Sequence, residues 1–327
     1  MITTTMLRDH PALVKALMGI PADLFWELVD AMTQPAPTAP SDPMLATPRL
    51  RPGRPYAHGL AQRLAAVLTY LRLHLPQALV GLLFGVGQED VSRDLRRIVP
   101  VLQPCLPCPV VWSVAPDPAE VPTPLDPALF PQQRALVDAT EQPVARPQDA
   151  LQRPAYYSGK KKAFTLKTQL VSDDDHHIRA ISTAVPGALH DKALADQVQT
   201  VAQLPDECEL LADKGYQGLA NQVPLLTIRD AVNGATAAVP RVRVLTPVKQ
   251  RKGQELLPDQ VAFNQAVSSL RIRVEHDIGW LKNWAILRTR FRCAHPIYPS
   301  IMQTVCGFVN IQTARWQAAK TTAGNCA

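Results

Sequence analysis

The positions of the 31 prolines constrain this chain most, because proline cannot continue a helix or pair inside a sheet. Prolines crowd into two stretches, 35–55 and 100–131, which are predicted to be linkers. The segment between them, 58–99, has an almost wholly helical pattern of apolar residues. Strand-like runs begin only after the second stretch, so a helical domain is predicted to precede an α/β domain.

These boundaries predict six regions in chain order. They are an N-terminal helical segment, a proline-rich linker, a helical domain, a second proline-rich linker, an α/β domain and a C-terminal helix with its tail. Their residues are 1–34, 35–56, 57–103, 104–131, 132–298 and 299–327.

Composition excludes few classes of protein. A length of 327 residues is typical of about two domains, and a net charge of +6 is a weak indication of a polyanionic partner. No apolar run approaches the roughly 18 residues that span a bilayer, and residues 1–13 lack the pattern of a secretion signal. The chain is therefore predicted to be soluble and cytoplasmic, without a membrane partner. Cys105 and Cys108 form an isolated C-x-x-C, interpreted as reduced thiols in a loop rather than a zinc site.

The helical domain contains a pattern typical of a helix-turn-helix. Residues 77–84 and 89–99 read as helices, and Gly85-Val86-Gly87 reads as a tight turn between them. The second helix would enter the major groove of DNA, whereas an ordinary helical bundle remains the alternative. Val91, Leu95 and Ile98 are predicted to pack inward. The residues predicted to face DNA are Gln88, Ser92, Arg93 and Arg96.

The α/β domain begins with a meander of strands and continues with alternating strands and helices. This order predicts a mixed sheet with helices on both faces. Two short apolar strands are predicted to end at Asp138 and Asp213. The predicted strands are 135–137, 163–171, 178–185, 209–212 and 243–247, and the predicted helices are 190–204 and 258–287.

Three acids are the candidate catalytic residues. Asp138 and Asp213 follow strands, and ligands gather at the carboxyl ends of strands in such sheets. The long helix can bring Glu275 to the same place, with Arg271 and Lys282 within about 40° of it around the helix axis. Three converging carboxylates repel each other unless divalent cations neutralise them, and oxygen ligands favour Mg²⁺ or Mn²⁺. The alternatives are that the aspartates cap helices and that the helix carries ordinary surface ion pairs.

Other charged clusters are interpreted more simply. The run 173–177, Asp-Asp-Asp-His-His, is predicted to be a hydrated hairpin turn rather than a metal site. Asp191 begins a helix, where a negative charge is favourable, although it also competes for a place in the acidic triad.

Two basic segments are candidates for DNA contact. The hairpin 156–162 combines aromatic residues with lysines, a mixture that suits a nucleic-acid backbone and its bases; a solvated strand entry is the alternative. Its candidate DNA-binding residues are Tyr157, Lys160, Lys161 and Lys162. A second basic patch comprises Arg241, Arg243, Lys249, Arg251 and Lys252.

Several motifs together resemble the DDE transposases of bacterial insertion sequences, and most of all their IS-five-like group. The resemblance covers residues 135–295 strongly and the helical region before them more loosely. The stretch 226–242 departs from it, because it is rich in alanine and valine where a basic segment is expected. The matching motifs are Asp138-x2-Glu141, Tyr157-x2-Lys160-Lys161, Pro186-Gly187-x2-His190-Asp191, Asp213-Lys214-Gly215-Tyr216, Arg271-x3-Glu275-x6-Lys282 and Arg288-x-Arg290-Phe291-Arg292.

The resemblance implies a ribonuclease-H-like catalytic domain and assigns roles to residues. Asp138, Asp213 and Glu275 become the catalytic triad that holds two Mg²⁺ or Mn²⁺ ions. Tyr216 and Lys282 match positions that hold the transposon-end DNA and its phosphates. Arg271 is expected to orient Glu275 or to contact a phosphate.

The predicted function is therefore a metal-dependent DNA transposase. Its partners would be double-stranded DNA, as terminal inverted repeats and target, and further copies of itself in a homodimer or larger synaptic complex. Two alternatives remain open: a DDE-type endonuclease that no longer transposes, and a DNA-binding regulator with an inactive nuclease fold.

Overall fold

The computed structural model describes residues 1–34, 58–114, 122–229, 236–250 and 252–324. These residues form two compact units. The first comprises Met1–Cys108 and Leu281–Gln312, and the second comprises Pro109–Trp280 and Thr313–Ala327. The predicted linker 35–56 lies outside the described residues, as does part of the linker 104–131.

The helices and strands follow the predicted order. The helices are α1 (Thr4–Asp9), α2 (Pro11–Met18), α3 (Ala22–Thr33), α4 (Leu60–Leu73), α5 (Gln77–Phe84), α6 (Gln88–Leu102), α7 (Arg153–Tyr156), α8 (Asp191–Gln197), α9 (Pro258–Lys282), α10 (Ala285–Arg288) and α11 (Tyr298–Gly324). The strands are β1 (Val110–Trp112), β2 (Arg134–Pro143), β3 (Tyr157–Ser158), β4 (Ala163–Ser172), β5 (Ile178–Ser182), β6 (Val185–Pro186), β7 (Glu209–Leu211), β8 (Leu225–Arg229), β9 (Thr236–Pro240) and β10 (Arg243–Leu245). None of these described helices combines the length and apolar character that crossing a bilayer requires.

The first unit is helical, and its centre is α4, which is buried along most of its length. Helices α5 and α6 form the predicted helix-turn-helix, in which α5 ends at Gly85 with a left-handed φ of 70°. That conformation is accessible to glycine without strain. Val91, Leu95 and Ile98 of α6 are buried, as predicted. The helix extends through Pro100 to Leu102, three residues beyond the predicted end.

The second unit is built on a mixed sheet of the predicted class. Its strand order is β1-β5-β4-β2-β7-β10, and β3 and β6 pair with β4. Strands β2, β4 and β5 form the antiparallel meander, whereas β7 and β10 continue the sheet in parallel with β2. One face packs Ala135 and Val137 against Leu194 of α8 and its neighbours. Strands β8 and β9 form a separate hairpin in the stretch 226–242; Asn233 and Gly234 lie outside the described residues.

Several elements of the second unit differ from the prediction. Strands β5 and β10 and helix α9 end three, two and five residues before their predicted ends. Strand β2 continues to Pro143, so Asp138 lies within it rather than at its end, because β4 pairs with it from Leu136 to Pro143. Helix α8 is shorter than predicted and gives way to turns after Gln197. The second proline-rich stretch contributes β1, which lies at the sheet edge, where neighbouring prolines are tolerated.

The turn 173–177 is not hydrated as predicted. Asp173 and Asp174 are both buried. Asp173 accepts hydrogen bonds from the backbone N–H groups of Asp175 and His177 and pairs with Arg179. The turn therefore acts as an internal anchor, because buried carboxylates are stable only with partners of this kind.

The same turn also fastens α9. Arg273 pairs with Asp174, and the ring of His176 lies 2.7 Å from the carboxylate of Asp277, which is fully buried. These contacts fix the rotation of α9 about its axis.

Candidate active site

The register of two strands brings the first two predicted acids together. Leu136 of β2 pairs with Leu211 of β7 in parallel. Asp138 lies two residues after Leu136, and Asp213 lies two residues after Leu211. The two carboxylates therefore lie at the same level of the sheet. Both aspartates therefore meet as predicted, although only Asp213 follows the end of its strand.

Asp138 is mostly buried and has two partners. Its Oδ1 accepts a hydrogen bond from the Ala139 N–H at 2.7 Å, and its Oδ2 accepts one from Arg271 Nη2 at 3.3 Å. Burial raises the pKa of Asp138 to about 6, with a contribution from the charges of Asp213 and Asp191, against the lowering effect of the Ala139 N–H and Arg271. The carboxylate thus lies in an environment with too little positive charge.

Asp213 caps a short 3₁₀ turn, Lys214–Tyr216. Its Oδ1 accepts a hydrogen bond from the Gly215 N–H at 2.6 Å. A Cβ atom at position 215 would lie 2.8 Å from that oxygen and 3.0 Å from Asp191 Oδ2. A larger residue at position 215 would therefore displace these two carboxylates.

Arg271 and Glu275 reach the site from α9. Arg271, whose side chain is only 9% exposed, has Nη1 3.9 Å from Glu275 Oε1, so it bridges Asp138 and Glu275. Its Nε is buried without a hydrogen-bond partner among the described residues. Glu275 is 58% exposed, which leaves it facing solvent one helical turn from Arg271.

Tyr216 lies beneath the aspartates. Its side chain is fully buried, and its hydroxyl has no hydrogen-bond partner among the described residues. Burial raises its pKa well above the ordinary value, and the negative charges of Asp138, Asp191 and Asp213 raise it further. Because the side chain is completely buried here, the contact of Tyr216 with DNA stays a prediction.

Asp191 belongs to the same cluster, a role that the sequence reasoning set aside. It is the first residue of α8, as predicted, but its Oδ1 also pairs with Lys167 Nζ at 2.7 Å. Lys167 is buried and lies 3.9 Å from Glu141 Oε1. The sequence contained one indication of this pairing. Lys167 occupies an inward-facing position of a predicted strand, and a buried lysine requires an acidic partner.

The residue types and charges of this cluster fit a hard divalent cation. Its donors are carboxylate oxygens, and a buried tyrosine hydroxyl among them has no partner. In the present conformation no three histidine, cysteine, aspartate or glutamate side chains of the described residues are arranged to enclose a metal ion. Arg271 supplies a positive charge between Asp138 and Glu275 instead.

Lys282, the remaining predicted residue of α9, belongs to the first unit. It is the last residue of the helix, and its Nζ donates a hydrogen bond to the Leu287 carbonyl at 2.7 Å. Its role as a phosphate contact stays a prediction.

The basic hairpin forms as predicted. Tyr157 and Ser158 pair with Phe164 and Ala163, and the turn between them contains three exposed lysines. Tyr157 is exposed and its ring packs edge-on against Phe164, with 5.6 Å between ring centroids. The lysines at this turn are Lys160, Lys161 and Lys162, and all are accessible to a partner.

The second basic patch is only partly available. Arg241 donates to the Leu204 and Val201 carbonyls and pairs with Asp206 at 2.7 Å, so it fastens loops rather than facing a partner. Arg243 pairs with Glu209 at 3.0 Å. Lys249 and Lys252 are exposed, and Arg251 lies outside the described residues.

The outer face of α6 presents the four residues predicted to contact DNA. Gln88, Arg93 and Arg96 are exposed. Ser92 is half-buried and accepts a hydrogen bond from Arg96 at 3.2 Å. Gln88, Ser92 and Arg96 line a groove whose other wall is the segment 292–297. The sequence did not indicate that wall, because it is almost 200 residues away along the chain.

Two known families match parts of this chain. Residues 137–310 match the family described as DDE superfamily endonuclease. Residues 59–108 match the family described as helix-turn-helix of DDE superfamily endonuclease.

Two relatives extend the comparison. The probable transposase for insertion sequence element IS702 of Microchaete diplosiphon is 26% identical over 266 residues, covering 81% of this chain and 84% of the relative. A protein of Streptomyces albus G, assigned as the transposase for insertion sequence element IS112, is 23% identical over 287 residues, covering 86% and 87%. No solved structure matches the chain significantly. Because the endonuclease family matches more than half of the sequence, this chain belongs to the DDE superfamily of endonucleases and carries the helix-turn-helix domain of that family.

Proposed function

We propose that this protein is a transposase that binds the ends of its own insertion element, cuts them and joins the 3′ ends to target DNA. The observation that carries the proposal is the register of β2 and β7, which sets Asp138 beside Asp213 where Arg271 and Glu275 arrive from α9. The two relatives assigned as insertion-sequence transposases, each aligned over most of its length, support the same function.

Asp138, Asp213 and Glu275 are the residues that would hold the divalent cations, two Mg²⁺ or Mn²⁺. Such cations stabilise the charge on the attacking and leaving oxygens of a phosphodiester. The buried Tyr216 interacts electrostatically with Asp138 and Asp213 and would support them from the protein interior. Arg271 keeps Asp138 and Glu275 oriented, because its guanidinium lies between their carboxylates.

Two displacements at phosphorus account for the reaction. In the first, water attacks at the element's end, and the bond from phosphorus to the 3′ oxygen breaks, which leaves a free 3′-hydroxyl. In the second, that hydroxyl attacks a target phosphodiester, and the target's own 3′ oxygen leaves. Each joining step forms one phosphodiester bond and breaks one, so it needs no external energy source.

DNA would contact two surfaces. The outer face of α6 carries Gln88, Ser92, Arg93 and Arg96 and suits the major groove of the terminal repeat. The lysines of the hairpin after Tyr157 suit the phosphate backbone. Lys282, on the other compact unit, is a separate candidate for a phosphate contact. Because two ends must be joined together, we propose a homodimer or larger complex at the stage of strand transfer.

The proposal is tested with supercoiled plasmid that carries the sequences flanking this gene. Wild type with Mg²⁺ is expected to cut at the repeat ends and to join them to a second DNA, whereas Asp213→Asn and Glu275→Ala are expected to bind the ends without cutting. Asp196→Asn is the matched control, because Asp196 pairs with Lys192 on α8, outside the carboxylate cluster. Cutting without joining would instead support a plain endonuclease. Specific binding without any cutting by wild type would support a regulator.

A further inference from the structure

We propose that Asp191 is a fourth carboxylate of the nuclease site, contributing one oxygen to the divalent cations held by Asp138 and Asp213. This inference rests on the proposed function, since it assigns a further residue to the same site.

The first observation is that the Asp191 carboxylate is held in one orientation. Lys167 Nζ lies 2.7 Å from Asp191 Oδ1 and donates a second hydrogen bond, of 2.6 Å, to the Leu189 carbonyl. Lys167 is itself buried, so this ion pair is shielded from solvent and keeps its geometry. The second oxygen, Oδ2, is directed away from the lysine.

The second observation is where Oδ2 points. The position that a Cβ atom of residue 215 would occupy is 3.0 Å from Asp191 Oδ2 and 2.8 Å from Asp213 Oδ1. The two oxygens therefore flank a single point above the Gly215 backbone. Asp191 also interacts electrostatically with Asp138, which joins all three aspartates in one cluster.

The third observation is the hydroxyl of Tyr216. It is fully buried, lacks a hydrogen-bond partner among the described residues and interacts electrostatically with all three aspartates. An unpaired hydroxyl inside a protein costs free energy, which an additional ligand or its coordinated shell would recover.

The fourth observation is the balance of charge. Among the residues that the structure describes, two cations pair with the cluster: Lys167 pairs with Asp191 and lies near Glu141, and Arg271 bridges Asp138 and Glu275. Asp213 has a backbone N–H as its partner instead of a side-chain cation. The carboxylates therefore outnumber the cations that contact them, and a divalent cation would restore the balance.

The experiment measures binding of Mn²⁺ alone to the full chain by isothermal titration calorimetry, without DNA. Asp191→Asn is expected to weaken Mn²⁺ binding by roughly tenfold or more, because one oxygen ligand is lost. Asp196→Asn, on the same helix and paired with Lys192, is expected to bind Mn²⁺ as wild type does. Thermal unfolding in EDTA checks that both variants are folded.

A second variant guards against a trivial loss of folding. Asp191→Asn leaves the buried Lys167 without its acidic partner. The double variant Lys167→Met/Asp191→Asn removes that unpaired charge as well, and it is expected to show the same weakened Mn²⁺ binding. Wild-type Mn²⁺ affinity in Asp191→Asn, together with lost affinity in Asp138→Asn, would overturn the role of Asp191 and leave the proposed function intact. Wild-type affinity in Asp138→Asn as well would overturn both.

Discussion

At the scale of single residues, the site depends on close approaches that only particular side chains allow. Asp138 and Asp213 lie side by side, Arg271 bridges the first of them to Glu275, and Gly215 leaves room for two carboxylates. These residues are separated by up to 137 positions in the sequence, so their meeting is a property of strand register and helix rotation.

Gly215→Ala tests the crowding directly. The added methyl group would lie 2.8 Å from Asp213 Oδ1 and 3.0 Å from Asp191 Oδ2, so both carboxylates must move. We expect Mg²⁺-dependent plasmid cleavage to fall by roughly tenfold or more, since ångström-scale displacements of reacting groups are costly.

Gly279→Ala is the control, because no atom lies within 4 Å of its added Cβ and the residue is inside α9. Alanine there is expected to stabilise the chain by about 0.5–1 kcal/mol without loss of cleavage. Wild-type cleavage by Gly215→Ala would show that the two carboxylates do not act together.

His74 predicts how stability depends on pH. Burial, with a smaller effect of Arg292, lowers the pKa of His74 to about 4 in the folded chain, from 6.5. As the pH falls, His74 therefore binds a proton in the unfolded state before it does so in the folded state. The free energy of unfolding decreases between about pH 6.5 and pH 4, and His74 accounts for about 3 kcal/mol of that decrease.

His74→Asn is expected to remove that part of the acid sensitivity. Asparagine tolerates the left-handed φ of 48° at this position. Free energies of unfolding in urea at pH 8 and pH 4.5 measure the effect. At pH 8 they report the lost packing and the lost hydrogen bonds of the ring with Thr289 and Arg292, and at pH 4.5 the variant should compare more favourably with wild type. If the free energies of unfolding of wild type and His74→Asn differ by the same amount at both pH values, protonation of His74 does not cause the acid sensitivity.

At the scale of elements, the helix-turn-helix was the most predictable part of the chain. The bounds of α5 match the prediction, because apolar spacing, a glycine turn and short connections all act locally. Strand ends were less predictable. Residues 138–143 are polar or small and read as a loop, yet the partner strand β4 keeps them extended. Asp191 and Lys167 were missed because their pairing spans 24 residues and gives no local signal.

An ion pair inside the first unit gives a second element-scale prediction. Arg63 of α4 and Asp94 of α6 are both buried, and the guanidinium contacts both carboxylate oxygens, one of them at 2.8 Å. Arg63→Met leaves the aspartate without this partner and is expected to cost about 3–5 kcal/mol of unfolding free energy.

The double variant Arg63→Met/Asp94→Leu should recover much of this loss, since an apolar pair of similar volume carries no desolvation cost. Urea denaturation of the two single variants and the double variant gives the coupling energy. Additive losses would show that the pair does not connect α4 to α6 energetically.

The lysine hairpin predicts the salt dependence of DNA binding. Replacing Lys160, Lys161 and Lys162 by alanine is expected to weaken binding to any duplex. The slope of log K against log salt concentration should become shallower by up to about 0.9 for each lysine that contacts a phosphate. Fluorescence anisotropy over a salt series measures this slope. Lys15→Ala, on α2, is the control, and an unchanged slope in the triple variant would exclude the hairpin from the interface.

At the scale of the whole molecule, the two compact units do not follow chain order. The match to the endonuclease family covers residues 137–310. It therefore extends beyond the boundary between the two compact units, which lies between Trp280 and Leu281. The segment 281–312 contributes Trp284, Ile286 and Phe308 to the interior of the helical unit. Composition and motif spacing could not reveal this, because the segment reads as the end of the nuclease and its packing partners lie some 200 residues earlier.

This arrangement predicts that residues 1–108 alone do not form a stable domain. Without 281–312, α4 would lose its contacts with α10, His74 its contacts with Thr289 and Arg292, and Tyr70 its contact with Cys293. The fragment 1–108 is expected to unfold without a cooperative transition and to bind a hydrophobic dye. Circular dichroism with dye fluorescence measures this, with the full chain as reference; a sharp transition in the fragment would contradict it.

The split origin of the helical unit also sets an order of events during protein synthesis. The helical unit that contains the helix-turn-helix is complete only after the ribosome has translated residue 312. By then the whole nuclease sheet has already left the exit tunnel. A product that stops or shifts frame before residue 312 therefore lacks part of the helical unit that carries the helix-turn-helix. Under the proposed function, such a product would not compete with the intact protein for the ends of the element.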